Sequence, residues 1–305
     1  MQDFLVPAPE VADALAAGRP VVAMESSLIA QGLPQPHGVE TARAAAAAIR
    51  REGALPATVA VLDGVIRVGL DGDQLARLAA GPALKSGARD LPLAVATGAD
   101  AGTTVSATVR VAAALGIRLF ATGGIGGVHR RLDPAVAAPA DVSADLPELA
   151  RGQVAVVATG AKSILDLPAT LELLETLGVP VIGYATDRFP AFYAADSGLP
   201  VPHRLDDAAA CARFLQVHWS LAGAGGALIC QPPPAASAMA ADEMAALVDR
   251  ALADAAAEGV SGQQVTPFLL ARMRELSGNR TLTVNMDLVV ENAALAARLA
   301  VALTI

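Results

Sequence analysis

The chain has 305 residues, a formal net charge of −8, and 54% hydrophobic but only 3% aromatic residues. This length allows one large domain or two ordinary ones, with a core built from Ala, Val and Leu. The negative charge argues against a nucleic-acid surface, and arginines such as Arg110 and Arg118 interrupt the long apolar runs, so no membrane span is expected. The N-terminus lacks a basic segment, and the two cysteines show no metal spacing. We therefore expect a cytoplasmic protein whose cysteines are reduced thiols.

Strand-like and helix-like patterns alternate along the chain. Strands are predicted over 20–24, 57–62, 91–96, 118–121, 154–158, 180–184 and 227–230. Helices are predicted over 11–18, 38–52, 73–80, 105–115, 146–151, 167–177, 206–221, 241–258, 266–276 and 282–302. A hairpin is expected at Asp63-Gly64, because alternating apolar residues follow that turn. Without a linker between two halves, the pattern predicts one α/β domain, residues 1–305, around a largely parallel sheet.

Lys162 follows the buried strand 154–158, at the edge where open α/β sheets bind their ligands. We expect Ser163 to cap the next helix, so that burial and the helix dipole both favour a free amine at Lys162. The only other lysine is Lys85. Because arginine supplies the remaining basic charge and cannot form an imine, Lys162 is a candidate nucleophile. A solvated surface charge is the alternative.

Two further candidate functional features, an acidic residue and a glycine-rich loop, each come directly after a predicted strand. Glu25 ends the strand 20–24 and is either a general acid or an ordinary strand-end charge. The glycine-rich loop 122–127, followed by His129 and Arg130, either cradles a phosphate with its backbone N–H groups or makes a tight strand exit.

Two pairs of polar residues complete the candidates. Asp141 and Asp145 have the oxygen ligands and spacing that suit Mg²⁺ or Mn²⁺, although Asp145 is equally placed to begin a helix. Asn285 and Asn292 lie two turns apart on the last helix and bind either a polar ligand or a loop; we favour the loop.

These features occur together in motifs that resemble pseudouridine-5′-phosphate glycosidase, also called the indigoidine synthase A-like family. The resemblance covers nearly the whole chain in the same order. Its motifs are V-A-M-E-S-S-L-I-A-Q-G-L-P, K-S-G-A-R-D-L-P, A-G-T-T-V-S-A-T, F-A-T-G-G-I-G-G-V-H-R, D-V-S-A-D-L, V-A-V-V-A-T-G-A-K-S-I-L-D and T-P-F-L-L-A-R.

The resemblance implies a three-layer α/β/α sandwich around a largely parallel or mixed sheet, assembled as a homotrimer. It implies a lyase, pseudouridylate synthase, that reversibly cleaves the C–C glycosidic bond of pseudouridine 5′-phosphate to uracil and ribose 5-phosphate. One divalent metal per subunit is implied, Mn²⁺ with Mg²⁺ as the alternative. The matching residues are Lys162 as nucleophile, Glu25 as proton donor, Asp141 as metal ligand, and Lys85, Val105, Ser143, Ala144 and Asp145 as substrate contacts.

The chemistry agrees with these roles. A C–C glycosidic bond has no leaving oxygen to protonate, so two carboxylates alone do not suffice. Ring-opened ribose 5-phosphate has C1 as an aldehyde, where a Lys162 amine can form an imine, while Glu25 protonates the departing uracil carbon. Lys85 offers positive charge to the phosphate.

The chain departs from the family pattern at two places. A longer stretch separates His129 from Asp141, which makes Asp133 a rival metal ligand. Ala88 replaces a second arginine, which predicts weaker phosphate binding.

Two other functions remain open from the sequence. One is an imine-forming lyase or aldolase acting on another sugar phosphate. The other is a non-catalytic sugar-phosphate-binding protein, against which the presence of Glu25, Lys85 and Lys162 in a lysine-poor chain argues.

Overall fold

The computed structural model describes residues 4–130, 141–221, 223–260 and 265–304. Its helices are α1 (Pro9–Ala16), α2 (His37–Arg51), α3 (Gly72–Ala80), α4 (Leu91–Ala96), α5 (Val105–Leu115), α6 (Asp145–Arg151), α7 (Leu167–Thr176), α8 (Ala208–Ser220), α9 (Ala241–Ala257), α10 (Val265–Leu276) and α11 (Arg280–Thr304). A short π-helix spans Leu28–Gly32. No helix in these ranges is both long and apolar enough to cross a membrane.

The strands are β1 (Leu5–Pro7), β2 (Val21–Met24), β3 (Leu55–Leu62), β4 (Val65–Val68), β5 (Leu84–Ser86), β6 (Ala101–Thr103), β7 (Leu119–Ala121), β8 (Val128–His129), β9 (Ala155–Ala158), β10 (Leu165–Asp166), β11 (Val181–Tyr184), β12 (His203–Leu205) and β13 (Ala227–Cys230). The main sheet runs in the order β1-β4-β3-β2-β7-β9-β13-β11-β12, and β6 joins β3 to β5. Its pairs are parallel except β3 with β4 and β3 with β6, so the sheet is mixed but largely parallel. Strands β8 and β10 form a separate antiparallel pair.

The central strands β2, β7, β9 and β13 are buried at every position. A strand buried on both faces needs a covering layer on each side, which is why these segments read as continuous apolar runs. Helix α11 packs against α2 and α8 and lies on β7 and β9, while α5 contacts β2 and β7. The expected α/β fold, with helices around a mixed sheet, is confirmed.

One predicted strand is wrong. The segment 91–96 is helix α4, with Pro92 in its first turn and Leu91 and Ala94 buried at helical spacing while Leu93 is exposed. A six-residue apolar run shows too little periodicity to separate a strand from a helix. The actual strands of this region are the three-residue β5 and β6, which were not predicted.

The predicted hairpin is confirmed. Strand β4 pairs antiparallel with β3, with Leu62 opposite Val65. Both turn residues adopt the left-handed conformation, with φ of 51° at Asp63 and 72° at Gly64. This is the two-residue turn whose twist matches paired strands.

Candidate active site

Three neighbouring parallel strands, β2, β7 and β9, end at one edge of the sheet. Met24 is paired with Ala121, and Ala121 with Val157. The next residues along two of these strands, Glu25 and Thr122, are therefore side by side. The Thr122 hydroxyl donates a hydrogen bond to one carboxylate oxygen of Glu25.

The turn that carries Lys162 runs alongside the loop that carries Thr122. Ile125 N donates to Gly160 O at 3.1 Å, and Lys162 N donates to Ile125 O at 3.1 Å. Gly160 has a φ of 64°, and a Cβ there would lie 2.1 Å from the Pro190 carbonyl oxygen. Glycine is required at this turn both by its backbone conformation and by this close approach. The backbone at Lys162 is thereby held at the same edge as Glu25.

The predicted helix cap at Ser163 is wrong. Ser163 lies in a turn before β10, and α7 begins only at Leu167, where the Asp166 side chain accepts a hydrogen bond of 3.0 Å from Ala169 N. The N-terminal charge of a helix acts mainly within its first turn, so α7 does not act on Lys162 as expected. The Ser163 hydroxyl is buried without a hydrogen-bond partner among the described residues.

Lys85 shares the electrostatic environment of Lys162. Although part of its side chain is exposed, burial lowers the pKa of Lys85 below its ordinary value, and the nearby charge of Lys162 lowers it further. The negative charges of Glu25 and Asp145 act in the opposite direction and raise the pKa of Lys85. The two lysines of the chain therefore lie close enough to repel each other, beside two carboxylates.

His129 borders the same group of charges. Burial lowers the pKa of its imidazole; Asp141 opposes this, while Lys162 and Lys85 lower the pKa further. The backbone N–H of His129 donates to the Asp141 carbonyl oxygen at 2.8 Å. His129 therefore lies near the candidate metal ligand and near both lysines.

The segment from Asp141 to Asp145 packs against the glycine-rich loop. Ser143 N donates to Gly127 O at 2.9 Å, and Ala144 is exposed. The buried Asp145 carboxylate accepts from Ser106 N and Gly126 N, each at 2.8 Å. Ser106 directly follows Val105, the first residue of α5, so this contact brings the last of the predicted substrate contacts to the same edge.

The structure brings Glu25, Lys85, Val105, Lys162 and the segment 141–145 to this edge, and their roles stay predictions. Both oxygens of Asp145 already have backbone partners, and its contact with substrate stays a prediction. Asp133, the rival metal ligand, lies outside the described residues. Ala88, where the family pattern has arginine, is buried and accepts a hydrogen bond of 2.9 Å from Arg110 at its carbonyl oxygen.

Contacts within the protein occupy part of the glycine-rich loop. The N–H groups of Thr122, Ile125, Gly126 and Val128 all donate within the protein. A Cβ at Gly126 would lie 2.3 Å from Ser143 Oγ. These glycines let neighbouring segments approach the loop closely, which agrees with a tight strand exit, and the phosphate cradle stays a prediction.

Asn292 ties this loop to α11. Its side-chain amide is fully buried and donates to Thr122 O at 2.8 Å and to Thr159 Oγ1 at 3.0 Å. The preference for a loop contact is confirmed for Asn292.

A divalent metal fits this edge only as a loosely held ion. Among the described residues, no group of three His, Cys, Asp or Glu side chains could hold a metal. Asp141, however, is exposed, and its charge lies near His129. Hard cations such as Mg²⁺ are often bound by one or two carboxylates with water and substrate phosphate completing the shell, so the residues present fit such an ion.

Two side chains that contact Glu25 had no predicted role. Thr122 lies in the glycine loop, and Ser27 comes two residues after Glu25; both donate hydrogen bonds to its carboxylate. The contact between Thr122 and Glu25 spans 97 residues and depends on β2 and β7 being adjacent. Strand order is not visible in one sequence, so only the local Ser27 contact had a sequence signal.

The fold and the site define an α/β protein with a polar site of two lysines and a glutamate at the carboxyl edge of its sheet. The chain matches the family described as indigoidine synthase A like protein over residues 10–302, and it belongs to that family.

Relatives of similar sequence, and solved structures of similar fold, carry related names. Pseudouridine-5′-phosphate glycosidases of Methylobacterium nodulans and Rhodospirillum centenum are 55% and 56% identical, covering 97% and 99% of this chain and 87% and 93% of theirs. The crystal structure of the prealnumycin C-glycosynthase AlnA in complex with ribulose 5-phosphate is 38% identical, with a TM-score of 0.89 and coverage of 99% and 97%. An indigoidine synthase A-like protein from Thermotoga maritima is 34% identical, with a TM-score of 0.88 and the same coverage.

Proposed function

We propose that this protein is a pseudouridine-5′-phosphate glycosidase, which reversibly cleaves the bond between C1′ of the ribose and C5 of uracil. The observation that carries the proposal is the convergence of Lys162, Glu25 and Lys85 at one sheet edge, in a chain 55% identical to a relative of that name. We further propose that it acts in the cytoplasm.

Lys162 supplies the nucleophile. Its nitrogen attacks C1′ as the ribose ring opens, so that the sugar becomes attached to the enzyme. When the C1′–C5 bond breaks, the nitrogen lone pair forms an iminium with C1′. Water then hydrolyses the iminium and releases ribose 5-phosphate. Arginine cannot replace this residue, because its guanidinium stays protonated.

Glu25 supplies the proton that uracil C5 needs on departure. It lies at a strand end, half-buried, with both carboxylate oxygens in contact with hydroxyl groups. Lys85 and the N-terminus of α5 offer positive charge for the phosphate, which positions the sugar and contributes binding energy remote from the reacting bond.

Asp141 is the residue that would hold a divalent ion, Mn²⁺ or Mg²⁺. Such an ion would supply positive charge for the phosphate or sugar oxygens. Ser143, Ala144 and Asp145 border that position and are proposed substrate contacts.

A homotrimer is also proposed. Leu84, next to Lys85, and Leu93 on the adjoining helix α4 expose 47% and 60% of their surface, and large exposed apolar side chains beside a site favour burial in an interface. Sedimentation equilibrium would test this, and a monomer at micromolar concentration would contradict it.

The deciding experiment measures uracil release from pseudouridine 5′-phosphate by chromatography, with uridine 5′-phosphate, an N-glycoside, as the control substrate. We expect release from the first only. Lys162→Arg should lower the rate by at least about a thousandfold, because covalent catalysis is lost.

Borohydride reduction in the presence of ribose 5-phosphate should label Lys162, which peptide mapping can separate from Lys85, the only other lysine. Labelling without uracil release would favour the imine-forming lyase on another substrate. Binding of ribose 5-phosphate without labelling would favour the non-catalytic protein.

A further inference from the structure

Glu25 is held by two hydroxyl groups, one on each carboxylate oxygen. Thr122 Oγ1 donates to Oε1, and Ser27 Oγ donates to Oε2. Thr122 is only 2% exposed, so water does not compete freely for its hydroxyl. Both carboxylate oxygens of Glu25 are therefore restrained by neighbouring hydroxyl groups.

Rigid backbone carries both hydroxyls. Thr122 N donates to Val157 O at 3.0 Å, and Thr122 O accepts the 2.8 Å hydrogen bond from Asn292. Ser27 immediately precedes the π-helix 28–32, whose first turn is closed by hydrogen bonds from Ile29 N and Ala30 N to Ser26 O, at 3.0 and 3.1 Å. The hydroxyls are thus fixed by main-chain contacts that do not involve Glu25.

A hydroxyl partner has a property that an amide N–H or an ammonium lacks. It can donate a hydrogen bond and can also accept one. A glutamate carboxylate accepts from both hydroxyls. When the carboxyl group is protonated, each hydroxyl can still donate to a remaining lone pair, or turn to accept. Hydroxyl partners can therefore hold a carboxyl group in the same place in both protonation states.

We propose that Thr122 and Ser27 are positioning residues that keep Glu25 aimed at the reacting carbon throughout its proton cycle. The inference rests on the proposed function. In the cleavage step the Glu25 proton moves to uracil C5, the C1′–C5 electron pair returns to the ring, and the Lys162 nitrogen forms its double bond to C1′. The water that hydrolyses the iminium then returns a proton to the Glu25 carboxylate.

The test replaces Thr122 with valine, which has the same shape but no hydroxyl, and with serine, which keeps the hydroxyl. We expect Thr122→Val to lower kcat about 10- to 100-fold with KM within about twofold, which is at most the lower end of the roughly 100- to 10,000-fold that general acid catalysis contributes. Thr122→Ser should recover most of the lost kcat. The solvent deuterium isotope effect on kcat should rise in Thr122→Val, because proton transfer becomes the slower step.

Controls separate positioning from general damage. Thr176→Val, at an exposed threonine of α7, should match the parent. Borohydride trapping of ribose 5-phosphate on Lys162 should be unchanged in Thr122→Val, because imine formation with the free sugar does not need the proton transfer to uracil. If Thr122→Val does not fold, Ser27→Ala provides the same comparison at a less buried position, with a fall in kcat again expected.

An unchanged kcat in Thr122→Val, a serine variant as slow as the valine variant, or an equal loss of trapping and turnover would each overturn the positioning role. Failure of the proposed function itself is distinguishable, because the parent enzyme would then release no uracil.

Discussion

Asn292 offers a quantitative test of how the loop behind Glu25 is held. We consider Asn292→Leu, which has nearly the same shape but no amide. The substitution removes the donors to Thr122 O and Thr159 Oγ1, at 2.8 and 3.0 Å, and both acceptor residues are buried. Leaving a buried polar group unsatisfied costs about 1–3 kcal/mol. With two such groups, we expect a loss of about 3 kcal/mol in the free energy of unfolding.

Urea denaturation followed by the fluorescence of the single tryptophan, Trp219, would measure this loss. Glu291→Ala is the matched control, because Glu291 is exposed on the same helix and a surface substitution is usually within about 0.5 kcal/mol of neutral. A free energy of unfolding for Asn292→Leu within about 0.5 kcal/mol of the parent would refute the view that this amide anchors the loop.

Two further predictions concern titrating side chains. Burial raises the pKa of Cys211 to about 11 and raises that of Cys230 further. Because the reactive thiolate is then scarce near pH 8, the native protein should resist a thiol reagent, whereas both cysteines should react in guanidinium. Rapid labelling of either cysteine in the folded protein would contradict this. Removing the neighbouring charge in Lys162→Met should raise the pKa of Lys85 toward its ordinary value, because the protonated form is no longer opposed. An NMR titration of methylated lysine measures that change, with the parent as reference, and a pKa that stays or falls would show that the two lysines do not interact.

Local sequence patterns were sufficient for most of the secondary structure. Long periodic segments such as α2 and α11, and buried runs such as β9, were identified because their periodicity or continuous apolar character is strong. The failures were short. The pattern predicts a strand at the six-residue α4 and does not predict β1, β5, β6, β8, β10 or β12, because two to six residues carry little periodic information.

The sequence by itself also determined which side chains are available for chemistry: two lysines in the whole chain, with Lys162 and Glu25 each following a buried strand. Only the tertiary structure decided what surrounds them. The order β2-β7-β9 puts Thr122 beside Glu25, and the glycine-rich loop packs closely against Ser143, Thr170 and Phe192. Such contacts join residues far apart in the chain, and no local preference of either partner encodes them.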